Sequence, residues 1–137
     1  MHGEPIGEIW SSAYQRAFDT VVPLADRLAC QPQVHAGLRE RRLADAWLDD
    51  FAPHLERSFR EPDFKLPGGE SSRAALRRFD AALIEIACTA QSEHVVVGTH
   101  GNVLSLFLRS LDPTVDFQFW KDLPYGVDWD GSFHWQR

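Results

Sequence analysis

Apolar positions recur at spacings of three and four over Tyr14, Ala17, Phe18, Val21, Leu24, Ala25 and Leu28, which predicts a helix. Pro23 falls inside this pattern and is expected to kink that helix or divide it. Ahead of it, GEIW (Gly7 to Trp10) is a short apolar stub running into Ser11-Ser12; behind it, Gln31 to Gly37 reads as a connection with Pro32 and Gly37 as breakers. A further helical stretch is expected from Leu43 to Phe59, with Trp47, Leu48, Phe51, Leu55 and Phe59 on its apolar face and a break at Pro53. FREPDFKLPGGESS then reads as a loop. Ser71 is placed to cap a helix that buries Leu76, Phe79, Leu83, Ile86 and Ala87 and ends near Ala90.

The most regular segment is EHVVVGTHGNVLSLFLRSL. Val95, Val96 and Val97 form a β-branched run, the pattern of a strand buried on both faces, and Leu104 to Leu111 reads as a helix. A buried strand, a glycine-flanked turn and a helix make half of a βαβ unit. The expected fold is therefore α/β, three layers (α/β/α), with a mainly parallel sheet. The tail, FQFWKDLPYGVDWDGSFHWQR, alternates aromatic and polar residues and is expected to supply an irregular loop and an edge strand.

At 137 residues the chain is expected to be one domain, residues 1–137. The net charge of −6, with bases and acids interspersed, argues against a nucleic-acid partner. No apolar run is long enough to cross a membrane and the first residues lack a signal pattern, so a cytoplasmic protein is expected. Cys30 and Cys88 read as small buried thiols, and a disulfide is not expected. Six scattered histidines show no metal-ligand spacing, so neither a metal nor an organic cofactor is implied. Self-association into a homo-oligomer is left open.

Three places can carry chemistry. Thr99-His100-Gly101-Asn102 lies where a strand ends and a helix begins, the edge at which α/β sheets bind ligands. The helix N-terminus favours an anion, Gly101 permits close approach, and a protonated His100 adds a donor. Arg16 falls in the first turns of its helix, where a cation opposes the helix dipole; a bound phosphate would explain it, and so would plain solvation. Glu40 sits in LRERRL among Arg39, Arg41 and Arg42, which would hold its carboxylate ionised, whereas a site closed over a phosphate could raise its pKa and make it an acid; a surface cluster of i, i+4 charges is the plain alternative. Gly68-Gly69 is a weak phosphate-loop candidate, since no lysine follows.

Together these stretches resemble the histidine phosphatase superfamily, the phosphoglycerate mutase-like group. IWSSAYQRAFDT, GLRERRL, LPGGESSRAALRRF and VVVGTHGNVLSLFL match four of its elements in order, from about Ile9 to Leu111. The resemblance implies phosphoric monoester hydrolysis through a phosphohistidine, with a phosphorylated small molecule as substrate, and phosphatase is preferred over mutase. It makes Arg16 the phosphoryl-binding arginine and His100 the second histidine of the pocket. Glu40 becomes the proton donor or acceptor at the bridging oxygen, and Gly101 and Asn102 the loop beside it. The family's first histidine lies in an Arg-His-Gly motif ending an initial strand, which is not found here. His2-Gly3 precedes Ser11 by nine residues, too few for a turn and a crossover of at least about 10–12. His2 therefore reads as a chain terminus, and the chain as N-terminally truncated relative to the family. Three consequences stay open: a late-starting chain, a catalytically inactive pseudoenzyme that binds phosphate or phosphometabolites, or weak hydrolysis through His100 or His2.

Overall fold

The structure is a computed structural model and describes residues 6–45 and 48–123. Its sheet has three parallel strands, β1 (Glu8–Ser11), β2 (Gln33–Val34) and β3 (Val95–Gly98), in the order β2-β1-β3. The fold is thus mixed α/β with a parallel sheet. The GEIW stub is the middle strand: Trp10 stands opposite Gln33 and Val97, and Ile9 opposite Val96. Ile9 is buried with Val21 and Ala25, which explains why so short an apolar run holds the centre. The expected connection at 31–37 supplies β2 between its two breakers, where the ladder to β1 outweighs weak local propensity.

β3 differs from expectation. Val95, Val96 and Val97 are half-buried, because among the described residues β3 pairs with β1 alone and sits at the margin of the sheet. The run of valines reflects β propensity and one packed contact, Val96 on the Ile9 cluster, and not burial on both faces.

The described residues divide into two compact units, 6–39 with Ala81–Thr99, and Glu40–Asp80 with His100–Leu123. The first holds the sheet and α1 (Gln15–Leu28), which buries Ala17, Val21 and Ala25 at successive four-residue steps. Tyr14 and Leu28, expected on that face, are exposed at its two ends. Pro23 does not divide α1. It lies on the exposed side, so the Asp19 carbonyl that loses its N–H partner is open to water. Ala29 ends the helix in the left-handed region at φ 52°, its N–H bonded to the Asp26 carbonyl.

The second unit is helical. Leu43, Leu55, Phe59, Ala75 and Leu106 form its core, with Leu48, Leu66, Phe117 and Trp120 packed against it. α2 (Phe51–Arg60) begins later than expected, and the described residues between Leu43 and its start are not helical. Pro53 is the third helical residue and breaks nothing, since first-turn N–H groups have no intrahelical partner to lose. Trp47 lies outside the described residues.

α3 (Ser72–Thr89) starts as predicted: Ser71 Oγ accepts the Ala74 N–H at 3.1 Å, an N-cap bond to the third helical residue. Its buried line runs Ala75, Phe79, Ala82, Ile86, with Leu76, Leu83 and Ala87 half-buried beside it. α4 (Gly101–Leu111) begins three residues before Leu104. The expected loop at FQFWKD is a helix instead, α5 (Phe117–Asp122). Asp116 caps it, and Phe117 stacks on Trp120 at 5.6 Å, so the aromatic spacing is helical rather than alternating. From Pro124 on, that tail, like His2, lies outside the described residues. Both cysteines are free, but Cys88 is exposed on α3 and Cys30 only half-buried, which corrects the expectation of buried thiols.

Candidate functional site

His100 is the last extended residue before α4, at φ −127° and ψ 153°, and it is 7% exposed. It holds the N-cap position, yet its side chain makes no capping bond. Its carbonyl opens the helix by accepting the Leu104 N–H at 3.0 Å. Gly101, the first helical residue, faces Trp120 and Leu123, with ordinary contact distances to a Cβ placed there. Its role is at the turn, not in a forced close approach.

The capping is done from elsewhere. Glu40 Oε2 accepts the Asn102 N–H at 3.0 Å, and Oε1 accepts the Val103 N–H at 2.8 Å and the Arg41 N–H at 2.8 Å. The structure thus brings Glu40, His100, Gly101 and Asn102 together at one helix start. The positive end of the α4 dipole is met by the chain's own carboxyl group. Asn102 is itself buried, and its Oδ1 has no hydrogen-bond partner.

Glu40 is held from behind by residues that the sequence reading treated only as its charged surroundings. Chain positions 41 to 43 lie outside any helix or strand, with Arg41 and Leu43 buried and Arg42 exposed. The Arg41 guanidinium donates to Ser58 Oγ and, through Nε and Nη2, to the Glu70 carbonyl at 3.3 and 2.9 Å. Burial lowers the Arg41 pKa to about 10, partly offset by the charges of Glu70 and Glu40. Glu70 in turn forks onto Arg78 (3.0 and 3.1 Å) and accepts the Arg42 N–H at 3.2 Å. Its own N–H returns to the Arg42 carbonyl at 2.7 Å. These bonds fix the backbone on which Glu40 stands. The only signal for them in the sequence is the parity of Arg41 with Leu43, which a charged residue conceals.

Gly68-Gly69 belongs to this support. Gly68 turns the loop at φ 74°, and a Cβ on Gly69 would lie 2.1 Å from the Leu43 carbonyl oxygen. The pair serves backbone approach, as glycines do.

Arg16 belongs to the first unit. It is the second residue of α1, one turn past the carboxyl end of β1, and its side chain is exposed. Ser12 Oγ accepts the Tyr14 N–H at 3.2 Å, ordering the entry to that helix. Thr99 Oγ1 donates to the Leu38 carbonyl at 2.7 Å in the same unit. Among the described residues no group of three His, Cys, Asp or Glu is arranged to hold a metal. None of their helices is long and apolar enough to cross a membrane.

Comparison with known proteins supplies the context for this corner. The sequence profile of the histidine phosphatase superfamily (branch 1) matches residues 1–127. The chain therefore belongs to that superfamily. A native structure of a mycobacterial glucosyl-3-phosphoglycerate phosphatase is 26% identical with TM-score 0.64, covering 89% of this chain and 64% of that one. A structure described as mycobacterial hydrolase 1 is 27% identical with TM-score 0.63, covering 87% and 62%. Bacillus stearothermophilus YhfR shares the fold at 21% identity and TM-score 0.61, covering 90% and 65%. The chain spans less than two thirds of the length of each. No curated protein matches it in sequence.

Proposed function

We propose that this chain serves the hydrolysis of phosphoric monoesters of small molecules by the histidine phosphatase route. The observation that carries this reading is the α4 corner. A buried histidine stands at the helix cap, and the first-turn amides already hold a carboxylate oxygen at 2.8 and 3.0 Å. Donors so placed suit the spread negative charge of a transferring phosphoryl group, whose catalysis is mainly positioning and charge stabilisation. His100 contributes the imidazole, Gly101 and Asn102 the turn, and Glu40 the carboxyl for proton transfer at the bridging oxygen. Arg16, on α1, takes the phosphoryl group in this reading, as the resemblance of IWSSAYQRAFDT to the family's element implies. The solved neighbours named as glucosyl-3-phosphoglycerate phosphatase support a phosphorylated metabolite as the substrate class.

The second reading is a binding module without turnover. It is favoured by Glu40, whose carboxyl oxygens accept the N–H groups of Arg41, Asn102 and Val103. Two assays on the purified chain separate the readings: hydrolysis of para-nitrophenyl phosphate and calorimetric titration with vanadate. Hydrolysis abolished by His100→Ala supports the enzyme, and vanadate binding without hydrolysis supports the module. Arg16→Ala is expected to abolish vanadate binding under either reading, and unchanged affinity removes Arg16 from the site. A wild-type chain that neither binds nor hydrolyses overturns both.

A further inference from the structure

We infer that Trp120 reads the alcohol half of the substrate, its indole N–H donating to a hydroxyl of a sugar or polyol phosphate. The inference rests on the phosphate-site reading above and adds a substrate class to it.

Trp120 stands on α5, and its ring is held from several sides. It packs on the core of Leu43, Leu55, Phe59, Ala75 and Leu106, stacks on Phe117 at 5.6 Å and tilts against Phe51 at 6.2 Å. α5 itself is pinned by Asp116, whose side chain accepts the Phe119 N–H at 3.1 Å. The indole is therefore a fixed wall with little rotamer freedom to lose when a ligand arrives. Its pyrrole side faces the turn that follows His100. A Cβ placed on Gly101 would lie 3.8 Å from both Cδ1 and Nε1 of Trp120, and 3.6 Å from Leu123 Cδ1. The space between turn and indole is thus the width of a methyl group, and glycine leaves it open.

The donor beside this gap is unused. Among the described residues the Trp120 indole N–H has no hydrogen-bond partner, although its backbone N–H and carbonyl are engaged by Asp116 and Leu123. Core packing explains the ring but not this N–H, since a tryptophan indole that is covered by protein usually finds an acceptor. Nor is the N–H sealed off. The ring is half-buried, and the one buried side-chain polar atom without a partner among the described residues is Asn102 Oδ1. Leu123 and the exposed Phe51 ring make the surroundings of the indole largely carbon. A neutral donor in carbon surroundings suits a neutral acceptor, because a carboxylate there would lose hydration without gaining a cation. The phosphoryl end stays with the residues named above, so the part that meets Trp120 is the alcohol, at the carbons next to the bridging oxygen. An alkyl group of the same length fills the gap and leaves the N–H unpaired, which is the difference such a site discriminates.

The test titrates the intact chain with inorganic phosphate, glycerol 1-phosphate and propyl phosphate; the two esters match in carbon chain and differ in hydroxyls. Calorimetry gives the affinities, and the indole N–H resonances of isotope-labelled protein report the contact. Wild type is expected to bind glycerol 1-phosphate about tenfold more tightly than propyl phosphate, the order of one hydrogen bond. Glycerol 1-phosphate is also expected to move the Trp120 indole proton downfield, the direction of a new acceptor. Trp120→Phe keeps an aromatic ring without the N–H and is expected to erase the preference between the esters. Phosphate binding with no such preference in wild type overturns the inference and leaves the phosphate site standing. A Trp120 indole proton unmoved by glycerol 1-phosphate does the same, as does a preference that survives in Trp120→Phe. The two wild-type measurements decide the matter even where the variant fails to fold. A wild-type chain that binds neither phosphate nor either ester overturns the site itself.

Discussion

Gly69→Ala is expected to be among the most damaging small changes in the second unit. A Cβ at this position would lie 2.1 Å from the Leu43 carbonyl oxygen and 2.7 Å from its carbon, both backbone atoms that no rotamer change can move. The loop must therefore lift from the 41–43 segment. Lifting it stretches the Glu70 N–H bond to the Arg42 carbonyl, the Arg42 N–H bond to Glu70 Oε1, and the Arg41 guanidinium bonds to the Glu70 carbonyl. At about 1 kcal/mol each for three such links, the loss is about 3 kcal/mol. Gly68→Ala is expected to be damaging as well, since its φ of 74° is disfavoured for alanine by about 1–2 kcal/mol and the added methyl would lie 2.4 Å from the Asp45 Cβ, which no side-chain rotation moves. Urea unfolding is expected to show the midpoint loss at Gly69. If Gly69→Ala costs less than about 1 kcal/mol, the argument from backbone approach fails.

Other outcomes follow from single contacts. Phe79→Ala removes a ring that is 1% exposed and packs edge-on against Phe107 at 5.5 Å, and it is expected to cost about 3–5 kcal/mol in the same urea assay. Ser71→Ala removes the N-cap of α3 and is expected to cost about 1 kcal/mol, with Ser71→Asp restoring most of it. Glu8 is held below the ordinary value of 4.5, first by the Gln91 N–H and then by the Trp10 indole. Its contribution is therefore present above about pH 4.5 and is lost as pH falls through the lower folded-state value. Glu8→Gln is expected to cost about 1 kcal/mol at neutral pH and to flatten the acid limb of a stability–pH curve, and an unchanged slope there refutes it.

Elements whose periodicity agreed with their packing were legible in the sequence. α1 and α3 show the helical spacing because their buried lines are the same apolar residues that set the pattern, and Ser71 announced its own cap. What was hidden depended on partners distant in the chain. GEIW is only four residues long and becomes the middle strand because neighbours arrive from positions 33 and 95. Pro53 looked like a breaker, since nothing in the sequence says that the helix starts two residues earlier. FQFWKD looked alternating because two aromatics at i and i+2 outweigh the i, i+3 pair that stacks.

The candidate site divides along the same line, and its hidden half governs its chemistry. The strand–His–Gly–helix signature marks an N-terminus that favours an anion, which is a local property and can be read locally. Which anion occupies it is a long-range property. Glu40 is held at α4 beside a 41–43 segment that alternates buried and exposed side chains, with Arg41 turned inward onto Ser58 and Glu70. A surface cluster of i, i+4 charges would have needed a helix there, and none forms. The buried guanidinium costs desolvation, visible as the lowered Arg41 pKa, and the cost is sustained by Glu70, which Arg78 holds in place. The acidic loop and the basic stretch are therefore one device: cations that looked like the surroundings of a carboxylate are the frame that aims it at the helix.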